Sequence, residues 1–205
     1  MEFQDRSLLQ FPATADSRLE LAIKAFDSGN NSNNLLSEFL DLIDKGSKEA
    51  NYYVGCMYED GTNGIQKNPE YAFFYYKQSV EGFGYLEGYL ALARLNYHGI
   101  GTPQDYERAF KYYTHIVEKK EHPIACFMLG RIYQHGTGTE KDLKLARRWY
   151  QRAIAHGSVY GMINLAMLEA EEGHLLKSKG LRLIAGLRAY WIARKNPHDA
   201  RLRGG

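Results

Sequence analysis

The sequence predicts an all-α chain, a solenoid of about four to five helix-turn-helix units with degenerate caps at both ends. Three observations carry this. HGTGTEKDLKLARRWYQRA from His135 aligns with HGIGTPQDYERAFKYYTHI from His98, glycine for glycine and 37 residues apart. A third copy, DGTNGIQKNPEYAFFYYKQS from Asp60, keeps Gly61, Gly64, Ala72 and Tyr76 after one inserted residue. The upstream segments LARLNYHG, LGRIYQHG and VGCMYEDG align as well, at Leu92, Leu129 and Val54. Self-similarity at a period of this length marks stacked units that bury a continuous core only together.

The elements follow in chain order. Residues 1–16 are expected to be loosely ordered. SRLELAIKAFDS reads as a helix, GNNSNN as a polar turn and Leu35 to Lys45 as a second helix, a degenerate unit over 17–49. Full units are expected near 50–86, 87–123 and 124–158, and a second degenerate unit over 159–196, all in one domain. The third copy shows the logic of a unit. Ala125, Leu129, Ile132 and Tyr133 recur at helical spacing as the buried stripe of a first helix, while Gly130, or Ala93 one unit earlier, lets another helix approach closely. Gly136 suits the left-handed residue past the helix end. Asp142, Asp105, and Asn68 followed by Pro69 suit the N-cap of a second helix, whose stripe is Ala146, Trp149, Tyr150 and Ala153. In the closing helix Leu176, Leu183, Ile184, Leu187 and Trp191 share one side, and Asn196 and Pro197 end it. Residues 197–205 form a basic tail whose last five, RLRGG, resemble the tail of ubiquitin.

The pattern A-x-x-x-L-G-x-x-Y, then G-x-G, then D-x-x-x-A-x-x-W-Y-x-x-A-x-x-x-G resembles the Sel1-like repeat, a relative of the tetratricopeptide repeat. Ala125 to Gly157 matches nearly throughout. The units from Ala50 and Gly88 lose some positions, with Asn96 where the family has an aromatic, and GMINLAMLEAEEG from Gly161 keeps the first helix. The resemblance implies a right-handed α-solenoid whose first helices line a concave groove. It also implies a non-catalytic adaptor or scaffold that binds a partner protein or peptide there. Two alternatives come with it: a bacterial immunity protein that neutralises a cognate toxic effector, and a hydrolase of the kind proposed for cysteine-rich relatives. Cys56 and Cys126 stand at non-equivalent positions, unlike the paired cysteines of that branch.

By the same resemblance, the positions between core residues point into the groove: Tyr52 and Glu59 in the first unit, Glu87, Leu90, Arg94 and Tyr97 in the second, Phe127, Arg131 and Gln134 in the third. Tyr52, Leu90, Phe127 and Ile163 form an apolar ladder and Arg94 and Arg131 a basic one. Apolar anchors beside arginines suit an extended peptide, because rings fill pockets while a guanidinium grips a carboxylate. A second reading stays open, in which neighbouring helices bury the ladder and the arginines pair with Glu59 or Glu87.

Other chemistries find little footing. A phosphate loop needs Lys and a hydroxyl directly after its last glycine, yet Gly138 is followed by Thr139, Glu140 and Lys141. The repeated His98 and His135 read as surface residues that complement helix C-termini, not as zinc ligands. Neither G-x-S-x-G nor H-E-x-x-H occurs, so no catalytic residue, metal or cofactor is assigned. A net charge of +2 gives no general reason to expect nucleic acid. That charge is uneven, with eight Lys or Arg against one acid from Lys177 onward. Lys177, Arg188 and Lys195 form a basic edge suited to an acidic partner or an anionic membrane surface. No apolar run is long enough to span a bilayer, and Glu2 and Asp5 spoil a signal-peptide reading, so a cytoplasmic location is expected unless a leader has been removed.

Overall fold

A computed structural model describes residues 17–29, 34–62, 64–81 and 84–196. Among these the chain forms ten α-helices and no strand. They are α1 (Ser17–Asp27), α2 (Leu35–Asp44), α3 (Lys48–Asp60), α4 (Pro69–Val80), α5 (Leu86–His98), α6 (Tyr106–Lys119), α7 (Pro123–His135), α8 (Leu143–Ala155), α9 (Val159–Glu171) and α10 (Leu175–Lys195). The expectations for 1–16 and for the 197–205 tail with its RLRGG end lie outside the described residues. By internal packing the chain divides into two compact units, Met1–Leu95 with Gly99–Pro103 and Asn96–His98 with Gln104–Gly205.

Local chemistry sets the helix ends. Gly61, Gly99 and Gly136 each follow a first helix in the left-handed conformation, at φ 70°, 69° and 70°, where a side chain would be strained. Each second helix opens on a side-chain cap. Asn68 accepts from the Tyr71 N–H at 2.9 Å, Asp105 from Arg108 at 2.8 Å, and Asp142 from Lys144 and Leu145 at 2.8 and 2.9 Å. The cap's own N–H turns back on the preceding helix, Asn68 to the Tyr58 carbonyl at 2.8 Å and Asp142 to that of Tyr133 at 2.9 Å. Asn96, which departs from the family pattern, makes the same bond through its carbonyl to Asp105 at 2.9 Å. The turn keeps this backbone acceptor without the aromatic ring.

Inside the first unit, α1 packs on α2, α2 on α3 and α3 on α4. Leu19, Ile23, Leu35, Phe39, Leu42, Tyr53, Val54 and Met57 close a core at its beginning, with Phe39 and Tyr53 stacked at 5.3 Å. Gly55 lies flat under Tyr76, where a Cβ would come 2.7 Å from the ring. The second glycine of the following turn, Gly101, sits at φ 66° with no room for a Cβ beside the Pro69 carbonyl at the start of α4.

The second unit repeats these devices. Helix α6 packs on α7, α7 on α8, α8 on α9 and α9 on α10. A Cβ on Gly130 would lie 2.5 Å from the Tyr150 ring, and Gly138 is pressed on the Tyr106 carbonyl at the start of α6. Ala125, Leu129, Ile132, Ala146, Tyr150 and Ala153 are fully buried, as their spacing predicts. Two members of the expected stripes are not. Tyr133 and Trp149 are half-buried, and the Arg152 guanidinium covers the Trp149 ring at 4.0 Å. Trp149 therefore packs at the rim and not in the interior.

In helix α10, the side shared by Leu176, Leu183, Ile184, Leu187 and Trp191 is not the side that packs on the protein. Ser178, Ala185 and Ile192 are buried instead, with Ala185 and Ile192 joining Val159 and Met162 of α9. Small side chains let the helices approach closely, and the bulky stripe is left in solvent.

Candidate functional site

In the first unit the expected groove residues gather around Glu59. Its carboxylate accepts the Tyr76 hydroxyl at 2.7 Å, and one Arg94 guanidinium nitrogen reaches both of its oxygens at 2.6 Å. With side chains 32% and 17% exposed, Arg94 and Glu59 form a pair partly shielded from water, stronger than a surface pair. Tyr52 is half-buried among the rings of Tyr53, Tyr76 and Tyr85, at 5.3, 5.6 and 5.1 Å, and this burial holds its hydroxyl well above the usual phenol range. Glu87 and Leu90 are half-buried on α5.

In the second unit Tyr97, Phe127 and Gln134 are buried, at 8%, 3% and 7% exposure. All three were expected to line the groove, and little of each reaches solvent. Gln134 accepts the Tyr150 hydroxyl at 2.6 Å, as Glu59 does for Tyr76 at the equivalent place. A second-helix tyrosine reaching across its own helix pair needs an acceptor in the last turn of the first helix, which spacing alone does not reveal. Arg131 lies over the Tyr97 and Phe127 rings, 5.7 and 6.0 Å from their centroids. Among the described residues no carboxylate pairs with it. The aromatic shelf holds the guanidinium by its face and leaves its N–H edge free to donate.

On the next first helix, Ile163 and Met167 are 36% and 44% exposed. Ile163 continues the apolar ladder. Met167 stands in register with Arg131, where the residue type changes from basic to apolar, so the repeat pattern does not mark it. Tyr160 completes the patch, 6.0 Å from Phe127.

The groups with chemical potential are engaged elsewhere. Burial pushes the Cys56 and Cys126 thiols up to about 12, so neither supplies a thiolate at neutral pH. Cys126 donates to Glu121 at 3.3 Å, and Glu121, held below the usual carboxylate range by Arg152, also faces His156 at 3.7 Å. Glu169, Glu172 and His174 bring ligand atoms within 4.8 Å of one another. The protein's own side chains fill that place: the fully buried Glu169 accepts from Arg147, and from Lys177 at 2.7 Å, with the His174 Nδ1 at 2.9 Å, and Arg147 also pairs with Glu172. Lys177, expected on a free basic edge, is thus tied down, while Arg188 and Lys195 are exposed. No helix among the described residues is long and apolar enough to cross a membrane.

Comparison with known proteins agrees with this architecture. The family model for the Sel1 repeat matches residues 48–82, 86–114 and 123–158. The crystal structure of a Sel1 repeat protein from Oxalobacter formigenes is 25% identical with a TM-score of 0.64, covering 73% of this chain and 62% of that one. A protective antigen present in uropathogenic Escherichia coli strains, displaying an SLR fold, is 19% identical with a TM-score of 0.71, covering 90% of this chain and 42% of its own. The second likeness is one of fold alone. This chain spans less than two thirds of either relative. No curated protein matches it.

Proposed function

From the premise that this chain belongs to the Sel1-repeat proteins, we propose that it is an adaptor that holds a partner protein or peptide on the face of its first helices, without catalysing a reaction. Sel1 repeats generally serve as protein-interaction scaffolds, which supports the class of function. The placement of Arg131 carries the specific reading. It is half-buried, fixed over two rings and without a carboxylate partner among the described residues, and the exposed Ile163 and Met167 stand on the next first helix at the places equivalent to Phe127 and Arg131. A cation held in this way is arranged for a ligand's carboxylate, and the apolar pair on the next first helix for a neighbouring side chain. The partner segment therefore carries an acidic residue next to an apolar one. Tyr52, Glu59, Glu87, Leu90 and Arg94 offer a separate surface in the first unit, where the neutralised Arg94 favours polar contacts over capture of a bare charge.

The test is affinity purification of the partner, followed by titration calorimetry. Arg131→Ala is expected to weaken binding by about 1.5–3 kcal/mol, the worth of hydrogen bonds to a charged group. Ile163→Ser with Met167→Ser should weaken it further at an unchanged melting temperature, because both side chains are exposed. Wild-type affinity in both variants would overturn this reading.

A further inference from the structure

Helix α10 is apolar on two opposite sides. Ser178, Ala185 and Ile192, seven residues apart, are the buried ones. At about 100° per residue, positions nine apart point in opposite directions, so Leu187 stands opposite Ser178, and Leu183 opposite Ile192. Leu176 and Tyr190 share that outward side, with Ile184 and Trp191 along one edge, and all six are 52% to 86% exposed. Cations flank this sector on both edges: Lys177, Arg188 and Lys195 beside Ile184 and Trp191, Lys179 and Arg182 on the other. Arg194, eighteen residues after Leu176, stands on the sector itself at its C-terminal end, 5.9 Å from the Trp191 ring. The helix contains no acidic residue. Among the described residues Lys179, Arg182, Arg188 and Lys195 have no carboxylate partner.

We propose that α10 docks this protein on an anionic lipid bilayer, lying in the headgroup plane with Leu183 and Leu187 turned toward the acyl chains. Charge complementarity chooses this occupant. A second copy of the helix would set six cations against six with no acid on either side. A partner protein would need a groove shaped to a convex ridge, whereas the bilayer interface receives such a ridge without prior shape. The sector points away from the face packed on α9, so within its own unit the helix can lie flat along its 21 residues, about 31 Å. Tyr190 and Trp191 place a ring in the interface and a polar edge at headgroup level. The flanking Lys and Arg extend to phosphates over the apolar edge. Apolar insertion and electrostatic attraction act together in this kind of docking, and neither suffices by itself.

The test uses the full chain and vesicle sedimentation. Phosphatidylcholine vesicles with about one quarter phosphatidylglycerol should carry the protein down, and pure phosphatidylcholine vesicles should not. The chain has two tryptophans, so in a Trp149→Phe background Trp191 emission should shift to the blue on binding. Leu183→Ser with Leu187→Ser should abolish both signals without lowering the melting temperature. Arg182→Gln, Arg188→Gln and Lys195→Gln together should lower partitioning on the order of a hundredfold. The proposal fails if the wild type stays in the supernatant at low salt, if neutral vesicles bind equally well, or if the double serine variant still sediments. It also fails if these substitutions abolish a dimer or the capture of an acidic protein while vesicles have no effect.

Discussion

His122 caps α7 with a ring that must stay neutral. Its Nδ1 accepts from the Ala125 N–H at 3.4 Å, and burial, helped by Lys120, lowers its pKa to about 4. The unfolded chain, with an ordinary imidazole, binds the proton at a higher pH. Between about pH 6.5 and 4 the unfolded state therefore holds more protons, and stability falls as pH falls through that window. The loss should be on the order of 1–2 kcal/mol by pH 5, allowing for the ring's partial exposure. His122→Asn keeps an N-cap acceptor and should flatten this dependence in urea melts taken from pH 7 to pH 5, and an unchanged slope would exclude the ring as its source. Caps of the Asp105 and Asp142 kind were legible in the sequence, because an N-cap needs only its own next three residues. The burial of Tyr97, Phe127 and Gln134 was not. It depends on helices distant along the chain, and Gln134 looks like any surface glutamine until Tyr150 is placed above it.

At the scale of an element, a buried carboxylate joins α10 to its neighbours beside its apolar contact with α9. Glu169 gathers Arg147 from α8, His174 from the turn and Lys177 from α10. Glu169→Gln leaves Arg147 and Lys177 facing a neutral amide and should cost about 2–3 kcal/mol, somewhat below the usual cost of breaking a buried pair because the partners reach solvent. Lys177→Met should cost under about 1 kcal/mol, since that ammonium is largely exposed. Urea midpoints of the two variants provide the check, and equal losses would show that Glu169 is not the hub. The same helix shows where periodicity stops informing. Two apolar stripes half a turn apart give one another's pattern, and hydrophobicity alone favours the bulky one. The distinguishing feature was the small size of Ser178 and Ala185, which marks a close approach, not a solvent face.

At the scale of the whole molecule, the repeat was the most legible feature, since the left-handed glycines, caps and tyrosine stripes recur with the period and each copy corroborates the others. The division of the chain into two compact units gave no composition signal, because the same helix-turn-helix chemistry runs through both. The second glycine of the two later turns has a consequence for inheritance. Gly101 rests on the start of α4 and Gly138 on the start of α6, so each of these two turns is fitted to the repeat before it, while Gly64 in the first turn meets no neighbour. Changes in chain length are thereby quantised. Excision of residues 102–138, 37 residues and one full period, joins α5 to α8 through an intact turn and leaves Gly101 on its carbonyl. That shortened protein should melt cooperatively with undiminished helicity per residue by circular dichroism. Excision of α6 alone removes the seat of Gly138 and should yield a chain that melts broadly or not at all. Slippage during replication would be filtered the same way, with whole periods gained or lost and fractions discarded.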